Sequence, residues 1–475
     1  MKIYLKQLFN DSIIYGLSGV ISTFISIFLI PLYTHVFEPA DYGVISIMTT
    51  TSAFLTILLI FSLDNSAAVW FWDKTDKEDR KKTFNSWIGF LAIAGAVIAL
   101  LLAVLSRPLS LLFFGTADYT ILFLLLALNL LFAGFQKVVN IWCRMLQLPV
   151  RAMLFSVALL LVTVGLNVYF ILYLRIGVSG VFYSQFIASL AGVLLMVLMF
   201  RQWIQLSSFS KQRVKEMIRF SAPLVPATIL YWLMNTASVY FLKAYVKDNA
   251  EIGLYQVGAS VANILSLITW AFFQAWTPFA LSVSKQENAR RIYSFIFELY
   301  CVVGFFVALS LMLTSTDILI IFTNSGYLGA ATVLGLLAIN VILVGMPSIL
   351  AIANALVKKN SPYAVAITIG SVVTVSLFML LIPRFGKEGA ALSRIIGNLI
   401  VPIYLGYKAQ RLFYIPYNFL RIILVIAFQF AVFYTAANYF KSSLIYHVIV
   451  IATVFILVSF FYYQRIKKNR FFVTS

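Results

Sequence analysis

Lys137 stands inside the stretch LFLLLALNLLFAGFQKVVNIWCRMLQLPVR, Leu122 to Arg151, where almost wholly apolar residues precede it and Val138, Val139, Ile141 and Trp142 follow it. An unpaired cation at such a depth in a bilayer costs roughly 2.5–3.5 kcal/mol on insertion scales. Two bland outcomes would remove the cost: the side chain snorkels to the cytoplasmic interface, or it pairs with a carboxylate. The third outcome is chemical, a cation held ready for an anionic ligand. Asn129, Gln136, Asn140 and Arg144 recur along one helical face beside Lys137, so that face is expected to look into protein or water.

Arg394, in GAALSRIIGNLI, is the second charge of this kind, with Asn398 one turn on and Pro402 beyond it. It is expected nearer the outer surface and Lys137 nearer the inner one. One cation in each half of the chain would suit a phosphate group, arginine offering paired donors and lysine a point charge. Asp64 is the one carboxylate expected well inside a span, Glu298 lying nearer a helix end. Asp64 is expected to serve either as counter-ion to Lys137 or as a site coupling H⁺ or Na⁺.

Polar stripes add neutral groups. Gln256, Ser260, Asn263, Trp270 and Gln274 fall on one face of GLYQVGASVANILSLITWAFFQAW, and Thr228, Trp232 and Asn235 align after Pro223 and Pro226. Two glutamines, an asparagine and an indole on one face favour a hydrated cavity. Ser18, Ser22 and Ser26, by contrast, favour helix packing, since small polar residues join helices at about 0.6 kcal/mol per hydrogen bond.

The elements that must carry these residues follow from composition. Of 475 residues 62% are hydrophobic and only 11% charged, with a mean hydropathy of +0.97, so the chain is expected to be an all-α integral membrane protein. About 14 spans are expected, near 12–36, 42–71, 83–106, 118–145, 151–174, 178–203, 214–243, 251–284, 290–316, 327–356, 362–383, 386–408, 418–438 and 443–463. The net charge of +19 is concentrated on alternate loops, which argues for topology and against a nucleic-acid partner. Lys77, Arg80 to Lys82, Arg201, Lys211 to Arg219, Lys285 to Arg291 and the tail from Arg465 would lie inside, with both termini cytoplasmic. Arg107, Arg175, Lys243, Lys247, Arg384, Lys387 and Lys441 would lie outside.

YLRIGVSGVFYSQFIASL, from Tyr173, is echoed by IPRFGKEGAALSRIIGNL, from Ile382, and EPADYGV, from Glu38, by DNAEIGL, from Asp248. The two echoes share nearly one offset, which divides the chain into two parallel six-helix bundles related by an axis along the membrane normal. The expected lobes are 1–203 and 214–408, joined by a cytoplasmic linker at 204–213, with two appended C-terminal helices and a basic tail over 409–475. Pro31, Pro223, Pro226, Pro278, Pro347 and Pro402 interrupt spans in both lobes and suit bundles that rock.

Several function classes are disfavoured. No Gly-Lys pair is followed by Ser or Thr, so a Walker A nucleotide site is absent; Cys143 and Cys301 read as packing residues; His35 and His447 form no metal cluster. The outer loops are too short for a glycan polymerase's extramembrane domain. No cofactor, metal or covalent chemistry is expected.

IPLYTHVFEPADYGVISI, AEIGLYQVGASVANILSLI, FQAWTPFA and LIPRFGKEGAALSRIIGN together resemble the polysaccharide flippases of the Wzx type, within the multidrug/oligosaccharidyl-lipid/polysaccharide exporter superfamily. The resemblance implies two six-helix lobes around a V-shaped, alternating-access cavity in a bacterial inner membrane. It also implies passage of an undecaprenyl-pyrophosphate-linked oligosaccharide for surface polysaccharide such as O-antigen or capsule, with contact to polysaccharide polymerase machinery. Where such proteins often carry arginine in AAVRF, this chain has Trp70, and where an acidic residue often ends the next half's first stripe it has Ser238. Lys137, Arg394 and Asp64 therefore rest on burial alone. A cation-coupled drug exporter or a lipid II flippase of the same superfamily is the rival expectation.

Overall fold

A computed structural model describes residues 28–73, 76–357, 359, 361–439 and 444–469. Most of the span expected at 12–36, with its serine stripe, lies outside them. The described residues contain helices and no strand. Among the described residues twelve helices are long and apolar enough to cross a membrane. One of these, Ser361–Leu412, is two helices joined at Gly386, whose φ of 52° and ψ of −128° are not helical. The expected division between 362–383 and 386–408 falls at that residue. The protein is an all-α, multi-pass integral membrane protein.

The chain divides into two compact units that differ from the expected lobes: Met1–Gln256 with Ser371–Ala390, and Val257–Gly370 with Ala391–Ser475. The lobe boundaries at 203 and 408 are an assignment by sequence repeat, and the units a division by packing.

In the first unit, α1 (Pro39–Ile60), α2 (Leu63–Asp73), α3 (Lys77–Val104), α4 (Thr120–Met145), α5 (Pro149–Asn167) and α6 (Ser179–Phe200) pack around α4. Its core joins Leu59, Phe71, Phe84, Leu91, Trp142, Phe155 and Phe200. Trp142 forms its hub, with ring centroids 4.8 Å from Phe84, 5.2 Å from Phe71 and 5.4 Å from Trp203. After α6 the chain is stapled back onto α3: Asn85 donates to the carbonyl of Trp203 and accepts from the amide of Gln205, each at 2.8 Å. The expected linker is thus a docked strap. It leads into α7 (Lys211–Ser221), α8 (Val225–Asn235), α9 (Ser238–Tyr245) and α10 (Asn249–Ala262).

In the second unit, α11 (Leu265–Ser282), α12 (Ala289–Leu313) and α13 (Ala331–Leu350) form a bundle, with α12 against α13 and against α15 (Phe419–Tyr439). Numbering the joined pair Ser361–Leu412 as α14, the described residues end in α16 (Leu444–Asn469). Here one expectation is corrected. Glu298 lies within α12 and is 1% exposed, so Asp64 is not the one carboxylate deep in a span. Tyr462 donates to Glu298 Oε1 at 2.8 Å and the Arg421 guanidinium lies 3.7 Å from Oε2, while His447 meets Asp317 at 2.8 Å. The appended helices are therefore fastened by polar side chains at both ends, which a purely local reading of each span could not register.

Candidate functional site

The span expected over 42–71 is broken at Phe61 and Ser62, both left-handed, with φ of 51° and 54°. Non-glycine residues rarely hold this conformation without support, at about 1–3 kcal/mol each, and such strain gathers at functional positions. The support is visible: the Phe61 amide donates to the Ile57 carbonyl at 2.9 Å, and the buried Ser221 hydroxyl donates to the Ser62 carbonyl at 2.9 Å. The break restarts the helix at Leu63 and sets Asp64 in its first turn.

Asp64 Oδ2 lies 3.1 Å from Lys137 Nζ, the Lys137 side chain being 45% exposed and that of Asp64 18%. Of the outcomes open for Lys137, pairing with a carboxylate is the one adopted. The pair answers the desolvation cost yet leaves the ammonium approachable, and an ammonium has three donors of which one carboxylate oxygen uses one.

The rest of the stripe on α4 serves the bundle. Asn129 donates to Gln185 at 3.4 Å, Asn140 accepts from Ser156 at 3.0 Å, and Gln136 packs where a side chain at Gly192 would stand. The face looks into protein, so in this state Asn140 joins α4 to α5, whereas Arg144 is exposed at the end of α4. Trp232 is buried beside Phe54, 4.9 Å between centroids, and Tyr240, 5.9 Å, and its indole N–H has no acceptor among the described residues. Asn235 is half-buried and donates to the carbonyl of Tyr231 at 3.1 Å. Trp70 packs edge-on against Phe220, and Ser238 donates to the Tyr255 hydroxyl at 2.9 Å, so both departures from the family pattern are taken up by packing.

In the second unit, Arg394 is half-buried, its carbonyl accepting from Asn398 at 3.0 Å, and Asn398 also donates to Asn340 at 2.9 Å. Asn398 thus joins two helices through buried amides. Asn263 sits at the break between α10 and α11, and Trp270 and Gln274 are exposed on α11. Lys137 and Arg394 belong to different compact units.

The two echoed segments meet. Within the first unit a side chain at Gly43 would strike the carbonyl of Asn249, and one at Gly253 the carbonyl of Pro39. Ser46 donates to Gln256 at 3.2 Å across 210 residues, the spacing that also relates Pro39 to Asn249 and Gly43 to Gly253. Each member of one copy touches the counterpart of its neighbour in the other, as a local two-fold axis requires. Close by, Tyr240 donates to Thr51 at 2.8 Å, and Lys387 reaches both oxygens of Glu251 at 3.0 Å. Gln256 therefore belongs to the contact between the copies. A second trace of duplication is conformational: Gly177 and Gly386, from the other echo, both have positive φ, 68° and 52°. Sequence pattern identified the glycines; their reciprocal contact and the partners Ser46, Thr51 and Tyr240 were missed, although testing the repeat offset on Gln256 would have found Ser46.

The polysaccharide biosynthesis protein family matches residues 8–284. No curated protein matches the sequence. Among solved structures, the lipid II flippase MurJ in an inward closed conformation is similar at 15% identity with a TM-score of 0.75, over 96% of this chain and 99% of that one. An inward-facing multidrug resistance MATE family transporter of the MOP superfamily is similar at 15% identity and TM-score 0.66, over 85% and 95%. A MOP superfamily transporter from Pyrococcus furiosus, described by the reverse polarity of its binding pocket, follows at 14% identity and TM-score 0.55, over 88% and 96%. The fold is thus shared with these transporters, and the sequence match, which covers more than half of the chain, places the protein in the polysaccharide biosynthesis protein family.

Proposed function

We propose that the protein is a flippase of the multidrug/oligosaccharidyl-lipid/polysaccharide exporter superfamily, carrying an undecaprenyl-pyrophosphate-linked oligosaccharide from the cytoplasmic to the periplasmic leaflet of a bacterial inner membrane for surface polysaccharide synthesis. The observation that carries the reading is the Lys137–Asp64 pair, a cation within a span whose counter-ion is present but whose side chain is 45% open. A pyrophosphate can displace Asp64 from Lys137 because it brings more negative charge and more acceptor oxygens. Asp64, released, would then be the group to take up H⁺ or Na⁺, so that cargo and ion exchange places on one lysine.

On this reading Arg394 supplies the second phosphate contact, and the exposed Asn263, Trp270 and Gln274 meet sugar hydroxyls and ring faces. Trp232, Asn140 and Asn398 become available only if their present partners change during the cycle. Two lobes, 1–203 and 214–408, rock about the strap between them, and the contact of Gly43 with Gly253 opens to release cargo outward. The polyprenyl tail stays in lipid, both termini are cytoplasmic, and no covalent bond is made or broken. A neighbouring polymerase would receive the released repeat unit.

The test is export. Lys137→Ala combined with Arg394→Ala should abolish surface polysaccharide in cells while the purified protein remains folded; undiminished export from that double variant would remove the phosphate clamp. The lipid II flippase reading is favoured by the similarity to MurJ over nearly the whole of both chains. Rescue of cell-wall synthesis in cells depleted of their own lipid II flippase, without rescue of polysaccharide export, would select it.

A further inference from the structure

Away from the charged pair, one side of α3 carries a trough. Phe90, Ile93, Ala94, Val97 and Ile98 line it, and Phe209, Lys211 and Val214 close its basic end, around a volume of about 470 Å³. From Phe90 to Ile98 is about 12 Å along the helix, so the trough runs from the basic end of α3 into the hydrocarbon region. Ile93 and Val97 are 60% and 51% exposed, on a different face from Leu91 and Gly95, which pack toward α4. The surroundings of the trough are therefore lipid.

Its wall is built in advance. Ser86 and Ser210 exchange hydrogen bonds at 3.1 and 3.4 Å, and the Phe209 ring lies where any side chain at Gly89 would stand. Arg213 is turned inward, with Nη1 and Nη2 on Asp79 at 3.1 and 2.7 Å and Nη1 on Thr83 at 2.7 Å. Glu216 is engaged by Gln212 at 3.0 Å and by Arg213 at 3.6 Å. Lys211 has no carboxylate partner among the described residues, and Lys215, one turn on, is exposed on the same face. The segment thus sorts its charges: Arg213 fastens the strap, while Lys211 caps an apolar trough at the membrane surface.

We infer that this trough is a binding site for an anionic phospholipid of the cytoplasmic leaflet, with an acyl chain along α3 and the headgroup phosphate on Lys211. Lipid tails are as apolar as the side chains that line the trough, so the chain alone gains little by leaving bulk lipid. Selection must come from the headgroup. A lysine near the surface favours an anionic over a neutral lipid by about fivefold, the equivalent of about 1 kcal/mol. A phospholipid seated there touches both α3 and the strap, and would make that joint sensitive to the charge of the leaflet. The assignment does not depend on the identity of the cargo.

Native mass spectrometry tests it on the full chain, delipidated in neutral detergent and titrated with phosphatidylglycerol or phosphatidylcholine. The wild type should retain phosphatidylglycerol about fivefold better. Lys211→Gln should erase most of that preference, Lys211→Arg should restore it, and Ala94→Trp, which fills the trough, should lower retention with the unfolding temperature unchanged. Lys408→Gln, near the end of α14 and away from the trough, should leave the preference intact. Equal retention of the two lipids by the wild type, or the same preference in Lys211→Gln, would overturn the site. Displacement of phosphatidylglycerol by equimolar undecaprenyl phosphate would overturn the phospholipid as occupant and reassign the trough to the polyprenyl anchor of the cargo.

Discussion

Where the two copies touch, they are interchangeable: Gly43 lies on Asn249 as Gly253 lies on Pro39. At the charged pair they are not. The offset of 210 residues that relates Ser46 to Gln256 carries Asp64 to Gln274 and Lys137 to Pro347. The first copy holds an ion pair 3.1 Å long; the second has an amide and a proline at the corresponding places. The echoed segments are symmetric where two backbones approach closely, and the offset carries no counterpart where charge is handled. The physical reason lies in the two costs. A close backbone contact admits one residue type on either side, so both copies keep glycine. A second charged pair would add another desolvation cost inside the bilayer, roughly 2.5–3.5 kcal/mol for any member left unpaired.

The largest effect should come from breaking the symmetric contact. Gly43→Leu or Gly253→Leu drives a side chain into a carbonyl, and overpacking costs about 1–3 kcal/mol even where the neighbour is a side chain that can shift. Either variant should lower the unfolding temperature and abolish export, and the two together should be far from additive; neutral singles would mean that the copies do not meet tightly here. Next comes the asymmetric pair. Lys137→Ala leaves Asp64 without its partner and should destabilise by about 1–2 kcal/mol, less than a fully buried pair because Lys137 is 45% open. Lys137→Met with Asp64→Leu should recover that stability in thermal unfolding without recovering export, which separates holding the helices together from holding cargo. Asp64→Asn should keep a hydrogen-bonding partner for Lys137 and lower export while removing its dependence on a proton or sodium gradient in vesicles; an unchanged gradient dependence would strip Asp64 of the coupling role. Ser46→Ala should be mildest, about 0.5–1.5 kcal/mol from one hydrogen bond, with export retained.

Much of this architecture was legible from residue order. The expected spans at 362–383 and 386–408 meet at the observed break, and the echoed Gly177 and Gly386 share a left-handed backbone. Among the loop charges Asp79 and Arg213 meet, as do Glu251 and Lys387, Arg213 being expected inside and Lys387 outside from the distribution of basic residues. The site was legible only in part. A polar stripe on α4 says which face avoids lipid, but Asn140 on Ser156 and Asn398 on Asn340 have the same periodicity that cavity residues would have. The break at Phe61 and Ser62 carried no glycine or proline to mark it, because its support, Ser221, lies far along the chain.

Residue order alone determined that the chain crosses a membrane many times, that two of its segments recur at nearly one offset, and that a lysine within one span needs an answer to its charge. Those conclusions follow from transfer free energies and periodicity, which are properties of each segment taken singly. Only the tertiary structure decided that Asp64 is the answer, that Gly43 and Gly253 face one another, and that the appended helices are fastened through Glu298 and Asp317. These are pairings between segments distant in sequence, and a side chain's type states what it needs without stating which of many eligible partners packing will bring to it.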